Sequence, residues 1–429
     1  MQLVLVDSPE EIRRGFHPLS LSRPIWELRC GITSLKEKLI ARTRPAGVAC
    51  FVAPYMADAY RARAGCPVND ASALSGDDLL IIDPRVKADA FDVPTTGPSE
   101  VGLDGEGRVL YARIARYDLG RLPPAGGGID ALLSAAKVKF PCVAARLPAW
   151  RYAWDLMLAS PDQVAADFAA AGRFGIEGAV EQPCAVRGSR NDVYVAPGAV
   201  VHPMVVIDAG QGPVYVDEGA EILPFTRIEG PCYIGPKSVL LGAKCRAGNS
   251  FGPHCRVGGE VEASVIQGYT NKYHDGFLGH AYVGEWVNLG ALTTNSDLKN
   301  DYSAVSVNMD GRRSIDTGSA KVGCLVGDHV KTSIGTLFNT GAYVGAMAVI
   351  MATGKPLPKF IPSFAWLIEG VVTKGFGKGK LYETARTVMA RRGREWTAAE
   401  QAMWDAVYAF TAGPRDEAVR RGRRIMAKP

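Results

Sequence analysis

The sequence is short of the features that mark membrane, secreted and nucleic-acid-binding proteins. No apolar run is long enough to span a bilayer, and residues 1–7 have neither the basic start nor the length of a signal peptide. The net charge is only +5 in 429 residues, which gives no reason to expect a nucleic acid or an acidic membrane as partner. We therefore expect a cytoplasmic protein.

Paired cysteines are missing as well. The chain has nine cysteines, an odd number at scattered positions, and none forms a C-x-x-C pair. This pattern is typical of reduced thiols rather than of disulfides or a zinc site. What remains is ordinary for a globular protein, with 47% hydrophobic and 22% charged residues, and the length predicts two or three domains.

Residues 1–160 predict an α/β domain. Short apolar strands are expected over residues 3–6, 47–52 and 78–83, and a helix with a capping residue is expected over residues 33–40. Continuous apolar strands that alternate with helices indicate a parallel sheet covered on both faces. A helical linker is expected over residues 161–192.

From residue 193 the sequence pattern changes: apolar residues recur at every sixth position. The hits are Val195, Val201, Ile207, then Val216, Ile222, Ile228, Ile234, Leu240, and later Val326, Thr332, Phe338, Val344 and Ile350. A period of six fits neither a helix nor a simple strand, but it fits a solenoid in which each short strand is one face of a triangular coil. We predict a parallel β-helix over residues 193–355 and a mostly helical extension over residues 356–429. A β-sandwich with regular turns is the alternative.

The step of six breaks between about residues 261 and 282. Residues inserted into a solenoid form a loop that projects from the coils, and such loops are usually found on the binding face. We therefore expect this segment to be an inserted loop that carries chemistry. Near the C-terminus, a basic cluster fits a solvated helix end or a subunit contact better than a phosphate site; it comprises Arg420, Arg421, Arg423, Arg424 and Lys428.

Two groups of motifs resemble a known family. Residues 271–280 (Asn-Lys-Tyr-His-Asp-Gly-Phe-Leu-Gly-His) and 283–291 (Val-Gly-Glu-Trp-Val-Asn-Leu-Gly-Ala) resemble the acetyltransferase site of GlmU. GlmU is the bifunctional glucosamine-1-phosphate N-acetyltransferase and N-acetylglucosamine-1-phosphate uridyltransferase. A second set of stretches looks like the alternative, GlmU-like sugar nucleotidyltransferases of some bacteria: residues 16–24 (Phe-His-Pro-Leu-Ser-Leu-Ser-Arg-Pro), 27–29, 31–32, 154–156 and 295–300. The resemblance implies a nucleotidyltransferase-like α/β domain followed by a left-handed β-helix of hexapeptide repeats.

The resemblance also assigns roles to residues of the β-helix. His274 matches the family's catalytic histidine, and an imidazole suits a general base because its ordinary pKa lies near working pH. Asn288 matches an asparagine that contacts the substrate, and Ala291 lies where a small side chain lets the acetyl-CoA thioester approach. Phe277 stands where the family usually has tyrosine, and Asn295 matches an asparagine of a second site loop.

The phosphate of the acceptor sugar calls for cations. Lys272, Arg227 and Arg256 are the candidates, together with Arg246. Each is alternatively a solvated side chain.

Nucleotidyltransferases of this kind usually open with a strand and a Gly-rich phosphate loop, but no glycine follows the first strand here before Gly15. That strand is followed by residues 7–11, Asp-Ser-Pro-Glu-Glu, whose acids repel a triphosphate unless a metal intervenes. Arg23 and Lys38 are candidate phosphate-binding cations, and Asp83 is a candidate Mg²⁺ ligand at a strand end. All three are alternatively ordinary surface residues.

Together these features predict an acyltransferase that uses acetyl-CoA to N-acetylate an amino-sugar phosphate such as glucosamine-1-phosphate. Coupled nucleotidyl transfer from UTP or another NTP, with Mg²⁺, would give UDP-N-acetylglucosamine if the first domain is active. The resemblance implies a homotrimer. Two alternatives remain open: a non-catalytic sugar-nucleotide-binding or scaffold protein, and a metalloenzyme of the γ-carbonic-anhydrase kind that uses histidines among His254, His274, His280 and His329.

Overall fold

The structure is a computed structural model that describes residues 1–123, 128–351 and 354–426. Within these ranges, no helix combines the length and the apolar character needed to cross a membrane.

The first domain is a mixed sheet with helices packed against it. Its strands are β1 (Gln2–Val6), β2 (Arg29–Cys30), β3 (Thr33–Ser34), β4 (Gly47–Phe51), β5 (Leu79–Ile82), β6 (Glu100–Leu103), β7 (Val109–Ile114) and β8 (Cys142–Ala144). Its helices are α1 (Glu10–Arg13), α2 (Leu35–Thr43), α3 (Ala57–Ala64), α4 (Gly128–Lys139) and α5 (Ala153–Ala171).

The sheet order is β4-β1-β5-β7-β6-β8, with the short β2–β3 hairpin outside it. β1 is parallel to β4 and β5, so the predicted parallel sheet is confirmed for this half. β7 is antiparallel to β5 and β6, because β6 and β7 are joined by a tight hairpin rather than by a crossover helix. The predicted helix over residues 33–40 is α2. Its start is stabilised by a capping box, in which the side chains of Ser34 and Glu37 each accept a hydrogen bond from the other residue's backbone N–H.

The second domain is a left-handed parallel β-helix of about 11 turns, as predicted. Its first face contains β9 (Gly175–Ile176), β12 (Val193–Val195), β15 (Val214–Val216), β18 (Cys232–Ile234), β20 (Asn249–Phe251), β22 (Val265–Gly268), β25 (Tyr282–Glu285), β29 (Cys324–Val326), β32 (Ala342–Val344) and β34 (Phe360–Ile361). Its second face contains β10 (Ala179–Val180), β13 (Val200–Val201), β16 (Glu221–Ile222), β19 (Val239–Cys245), β21 (Arg256–Glu262), β23 (Asn271–Lys272), β30 (Lys331–Thr332), β33 (Val349–Met351) and β35 (Trp366–Ile368).

The third face contains β11 (Ala185–Arg187), β14 (Val206–Asp208), β17 (Arg227–Glu229), the ends of β19 and β21, β24 (Phe277–Gly279), β26 (Thr294–Asn295) and β31 (Leu337–Phe338). The remaining strands are β27 (Ser306–Asn308) and β28 (Ser314–Asp316), which form an antiparallel hairpin, and β36 (Val371–Thr373), which folds back on β35.

The residues at every sixth position form the core of the β-helix. Ile207, Ile222, Ile228 and Leu240 are all fully buried, and they stack on their counterparts in the neighbouring coils. Burying an aliphatic side chain of this size contributes about 1.5–3 kcal/mol, and the repeat multiplies that contribution along the axis.

The expectation of an inserted loop between residues 261 and 282 was wrong. β21 pairs with β23 and β24, and β22 pairs with β25, so this segment is an ordinary coil. The step of six already fails before this segment. A bulge lies between Leu241 and Lys244, and Phe251 pairs with Ile266 only 15 positions on, whereas Ile266 pairs with Val283 17 positions on. The insertion comes later, at residues 298–321. Tyr282 pairs with Leu325, 43 positions on, whereas Val265 pairs with Tyr282, 17 positions on.

The β-helix is also longer than the predicted range of residues 193–355. It starts at β9, which pairs with β12, and it continues to β35, which pairs with β33. The expected helical linker over residues 161–192 therefore contains only the end of α5 before the coils begin.

The C-terminal extension forms α6 (Gly377–Ala390), α7 (Ala398–Phe410) and α8 (Ala412–Met426). Met403, Trp404 and Val407 of α7 are buried in a core that the first domain and the β-helix share. The basic cluster lies on α8, where Arg420, Arg421, Arg423 and Arg424 are exposed. Lys428 lies outside the described residues.

Candidate active sites

His274 lies at a corner of the β-helix, between β23 and β24. Its side chain is exposed, with the ring of Tyr273 edge-on at 6.1 Å. The backbone at this corner is fixed by Lys272, whose Nζ donates to the carbonyl oxygens of Gly258 (2.8 Å) and His274 (2.5 Å). The imidazole is therefore held at the surface by a rigid turn and is free to meet a substrate.

Lys272 does not have the role expected from the sequence. Its side chain is only 2% exposed, and burial lowers its pKa to about 8. Because its ammonium group already donates to two backbone carbonyls, Lys272 fixes the backbone at the His274 corner and does not contact the phosphate of a substrate.

Asn288 and Ala291 lie on the next coil, directly beside the His274 corner. Asn271 Nδ2 donates to Asn288 Oδ1 at 3.2 Å, and Leu292 N donates to Asp275 O at 2.8 Å. Adjacent coils are about 4.8 Å apart, so this pairing brings Asn288 and Ala291 to the same surface as His274. Asn288 is exposed.

Asn295 is not on that surface. It is 2% exposed, its Nδ2 donates to Gly279 O at 2.9 Å, and its Oδ1 accepts from Gly279 N at 2.8 Å. An amide whose bonds are completed by the backbone holds two coils together, so its expected contact with substrate is corrected to a structural one. Phe277 is half-buried on the same coil as His274.

The two candidate arginines differ in position. Arg256 packs over the ring of Tyr273 at 5.7 Å and is in register with Asn271. Arg227 is three coils from Phe277, or about 14 Å away, and pairs with Glu229 at 2.9 Å. Arg256 therefore remains a candidate cation of the site, whereas Arg227 lies too far from it to contact the same ligand.

Arg392, just after α6, is a residue that the sequence did not point to. Its Nη2 donates to Asn271 Oδ1 at 3.0 Å, and burial together with the nearby Arg256 lowers its pKa. The two guanidinium groups form a positive patch beside Asn288. No local motif could reveal this, because Arg392 is 121 positions from its partner.

The histidines do not converge as a γ-carbonic-anhydrase-like site requires within one chain. His254 stacks on Tyr269 with ring centroids 4.8 Å apart, His329 stacks on Trp286 at 6.1 Å, and His280 Nδ1 lies 2.8 Å from Asp297 Oδ2. Over the described ranges, no group of three or more His, Cys, Asp or Glu residues is arranged to hold a metal ion.

A cleft of about 1700 Å³ opens at the carboxyl ends of β1, β4 and β5. Asp7, which follows β1, and Asp83, which follows β5, both line it. Burial raises the pKa of Asp7 to about 6, although Arg13 Nε lies 3.0 Å from its Oδ2 and favours the charged form. Burial also lowers the pKa of His17, on the cleft wall, to about 3, with Arg13 and Arg14 adding to the shift.

The donor set of the cleft fits Mg²⁺. This ion commonly takes one or two protein carboxylates and completes its shell with water and substrate phosphates. Asp7 and Asp83 end neighbouring strands, and the pKa of Asp7 stays raised by burial even with Arg13 beside it, so a further cation would favour its charged form. Asp83 also pairs with Arg85, whose Nη2 lies 2.7 Å from Asp83 Oδ2.

The other two nucleotide-site candidates lie elsewhere. Lys38 Nζ pairs with Asp167 and so ties α2 to α5. Arg23 is 2% exposed and pairs with Asp328 (2.5 Å) and Glu285 (3.1 Å) of the β-helix. Both expectations are corrected, because each cation already has a buried or half-buried carboxylate partner outside the cleft.

Comparison with known proteins supports both halves of this picture. Residues 3–173 match the sugar nucleotidyl transferase family. A bifunctional sugar-1-phosphate nucleotidylyltransferase/acetyltransferase from Sulfurisphaera tokodaii is 34% identical over 152 residues, which are 33% of this chain and 35% of the relative. The bifunctional protein GlmU from Methanocaldococcus jannaschii is 34% identical over 121 residues, 28% of this chain and 27% of the relative. GlmU from Acidovorax ebreus is 35% identical over 117 residues, 27% and 21% respectively.

Over these stretches the chain is similar to sugar nucleotidyl transferases and to bifunctional proteins of the GlmU type. It spans about a third of the length of the first of these relatives and about a quarter or a fifth of the other two.

The motif over residues 16–24 has an unexpected place in the structure. Residues 16–30, the interdomain segment, pass between the first domain and the β-helix. Gln267 Nε2 donates to Glu27 O at 2.7 Å, and Tyr282 OH donates to Arg29 O at 2.8 Å. The motif that suggested a nucleotide site therefore joins the two domains.

Proposed function

We propose that the protein is a two-site enzyme that acetylates an amino-sugar phosphate on its β-helix and transfers a nucleotidyl group in its first-domain cleft. The observation that carries the first half is the exposed imidazole of His274 beside the coil of Asn288 and Ala291, next to the positive patch of Arg256 and Arg392. An amino-sugar phosphate offers an amine to a base and a phosphate to cations.

In this proposal His274 takes a proton from the sugar ammonium, and the free amine attacks the thioester carbonyl of acetyl-CoA. The C–N bond forms, the C–S bond breaks, and the proton on His274 passes to the departing thiolate to give coenzyme A. The attacking nitrogen releases its second proton to solvent as the amide forms. Asn288 holds the sugar or donates to the oxyanion. Gly290 lets this coil pack closely against the next one, because a Cβ there would lie 2.5 Å from the carbonyl of Ser333. Holding both reactants at one corner supplies the proximity that the step needs.

An exposed apolar edge supports the expected homotrimer. Met204, Phe225, Leu292 and Ile334 are 53%, 75%, 61% and 72% exposed. Each comes just before a strand of the third face, so they share one edge of the β-helix with the His274 corner. Exposed apolar groups along one edge are typical of a contact with another chain. A neighbouring copy there would enclose acetyl-CoA beside Ala291.

In the first domain, the oxygen of the acetylated sugar phosphate attacks the α-phosphorus of UTP, and pyrophosphate leaves. Asp7 and Asp83 would hold Mg²⁺, which neutralises the phosphates when it is bound. The strands place both carboxylates at the same end of the sheet, where ligands of open α/β sheets bind.

The experiment compares His274→Ala with the matched variant His202→Ala, whose histidine lies on the same β-helix between Glu181 and Glu221. Release of coenzyme A thiol from acetyl-CoA with glucosamine-1-phosphate is the readout. We expect the His274 variant to lose about 10²–10⁴-fold in rate and the His202 variant to remain normal. Equal activity of all three proteins would refute the role of His274, and binding of ligands without any turnover would favour the scaffold alternative.

A further inference from the structure

The insertion at residues 298–321 sends a hairpin, β27 and β28, away from the β-helix. The hairpin is anchored at its base, where Val305 and Val307 are fully buried in the core shared with the first domain. At its turn, Asp310 Oδ1 accepts from the backbone N–H groups of Arg312 (2.8 Å) and Arg313 (2.9 Å). The turn is therefore shaped by its own bonds and presents two arginines in sequence.

The tip of this hairpin lines the first-domain cleft. Arg312 and Arg313 belong to the cleft wall, as do Asp7 and Asp83 on the sheet side. Arg312 is 77% exposed with Glu417 at 3.7 Å, a distance at which an exposed pair contributes little. Arg313 is exposed and makes no ion pair with any residue in the described part of the chain.

The cations that the described residues place on the sheet side of the cleft already have partners. Arg14 Nε lies 3.5 Å from Glu10 Oε1, and Lys137 Nζ donates to the carbonyl oxygen of Gly107 at 2.9 Å. Arg13 is paired with Asp7, and Arg108 is paired with Asp104 at 2.7 Å. The same side carries Glu10 and Glu11, which directly follow the first strand in the place where a Gly-rich phosphate loop would stand. A triphosphate there needs positive charge from elsewhere, and guanidinium groups bind phosphate through two parallel N–H donors.

We propose that Arg312 and Arg313 of the β-helix bind the phosphates of the nucleoside triphosphate in the first-domain cleft, so that the second domain completes the nucleotidyl-transfer site. This inference rests on the proposed function of the cleft. It makes the site a shared one, in which the hairpin closes the phosphate end opposite the two carboxylates.

The test measures the dissociation constant of UTP in the presence of Mg²⁺ by titration calorimetry on the full chain. The variants are Arg313→Ala, Arg312→Ala and Arg313→Lys, and the control is Arg190→Ala, an exposed arginine outside this cleft. We expect Arg313→Ala to weaken UTP binding about 10- to 100-fold, Arg312→Ala to weaken it less, and Arg313→Lys to recover part of the loss. The control and the rate of coenzyme A release are expected to match the unaltered protein.

The outcomes separate this inference from the function it rests on. If the unaltered protein binds UTP and both alanine variants bind it equally well, the hairpin is not part of the site. If the unaltered protein neither binds UTP nor transfers its nucleotidyl group, the proposed function of the cleft fails and the inference fails with it. If Arg190→Ala lost as much UTP affinity as Arg313→Ala, the effect would come from the net charge of the protein rather than from the hairpin, and the inference would be overturned.

Discussion

The interdomain ion pair of Arg23 gives the sharpest prediction about stability. Arg23 Nη2 contacts Asp328 and Glu285, and the Arg23 and Asp328 side chains are 2% and 3% exposed. Removing one partner of a buried pair leaves an uncompensated charge and typically costs 3–5 kcal/mol, that is, about 4 kcal/mol here. With an m value of about 3 kcal/mol/M, Arg23→Met should lower the urea midpoint of unfolding by about 1 M.

The defect should also depend on pH. Burial already raises the pKa of Asp328, and Arg23 opposes that shift. Without Arg23 the folded-state pKa rises further, so the folded variant binds a proton more readily than the unfolded chain. Its stability is then highest at acidic pH and falls as pH rises through the folded pKa. Urea titrations of the variant at pH 5 and pH 8 measure this difference.

The matched control is Arg61→Met, which removes an exposed pair with Asp58 in the same domain. A surface pair of this kind contributes about 0–1 kcal/mol, so this variant should unfold close to the unaltered protein. UTP affinity should be unchanged in both variants under folding conditions. If Arg23→Met lost UTP affinity but kept its stability, Arg23 would be a nucleotide ligand after all, as the sequence alone predicted.

Three further predictions concern the core and the two sites. Ile228→Ala should cost about 2–5 kcal/mol by urea unfolding, because the side chain is fully buried within the stack; a loss under 1 kcal/mol would mean that the coils repack freely. Lys272→Met should remove a pH dependence of the stability. The amine has a pKa of about 8 in the folded protein and ordinarily titrates near 10.5, so the unfolded chain binds the proton more tightly. The free energy of unfolding of the unaltered protein should therefore rise by up to about 3 kcal/mol as the pH rises between those values. Stability curves of the two proteins that stay parallel from pH 8 to 10 would contradict this. Asp83→Asn should weaken binding of UTP with Mg²⁺ about tenfold or more by calorimetry, and an unchanged affinity would remove Asp83 from the metal site.

The β-helix could be predicted from the sequence because its cause is local and repeated. An aliphatic side chain at every sixth position is what a triangular coil must bury, and Ile222, Ile228 and Ile234 are all fully buried. The place of the insertion could not be read from a break in that step. A bulge changes the spacing just as an insertion does, so Val257, Val261 and Ile266 stay buried although the period fails.

The candidate site was predicted in part for the same reason. His274, Asn288 and Ala291 belong to two consecutive coils, so their spacing along a short stretch of sequence is enough to predict that they lie side by side. Charged residues behave differently, because their roles depend on partners that sequence spacing does not reveal. Arg23 meets Asp328 305 positions away, which turns an expected phosphate ligand into a bond between domains.

The most direct test of the two-site enzyme is one incubation of the protein with acetyl-CoA, glucosamine-1-phosphate, UTP and Mg²⁺, with all products identified by mass. We predict UDP-N-acetylglucosamine, pyrophosphate and free coenzyme A, with N-acetylglucosamine-1-phosphate as the intermediate. N-Acetylglucosamine-1-phosphate as the sole sugar product would restrict catalysis to the β-helix. Formation of neither acetylated sugar nor sugar nucleotide would contradict the proposal for both sites.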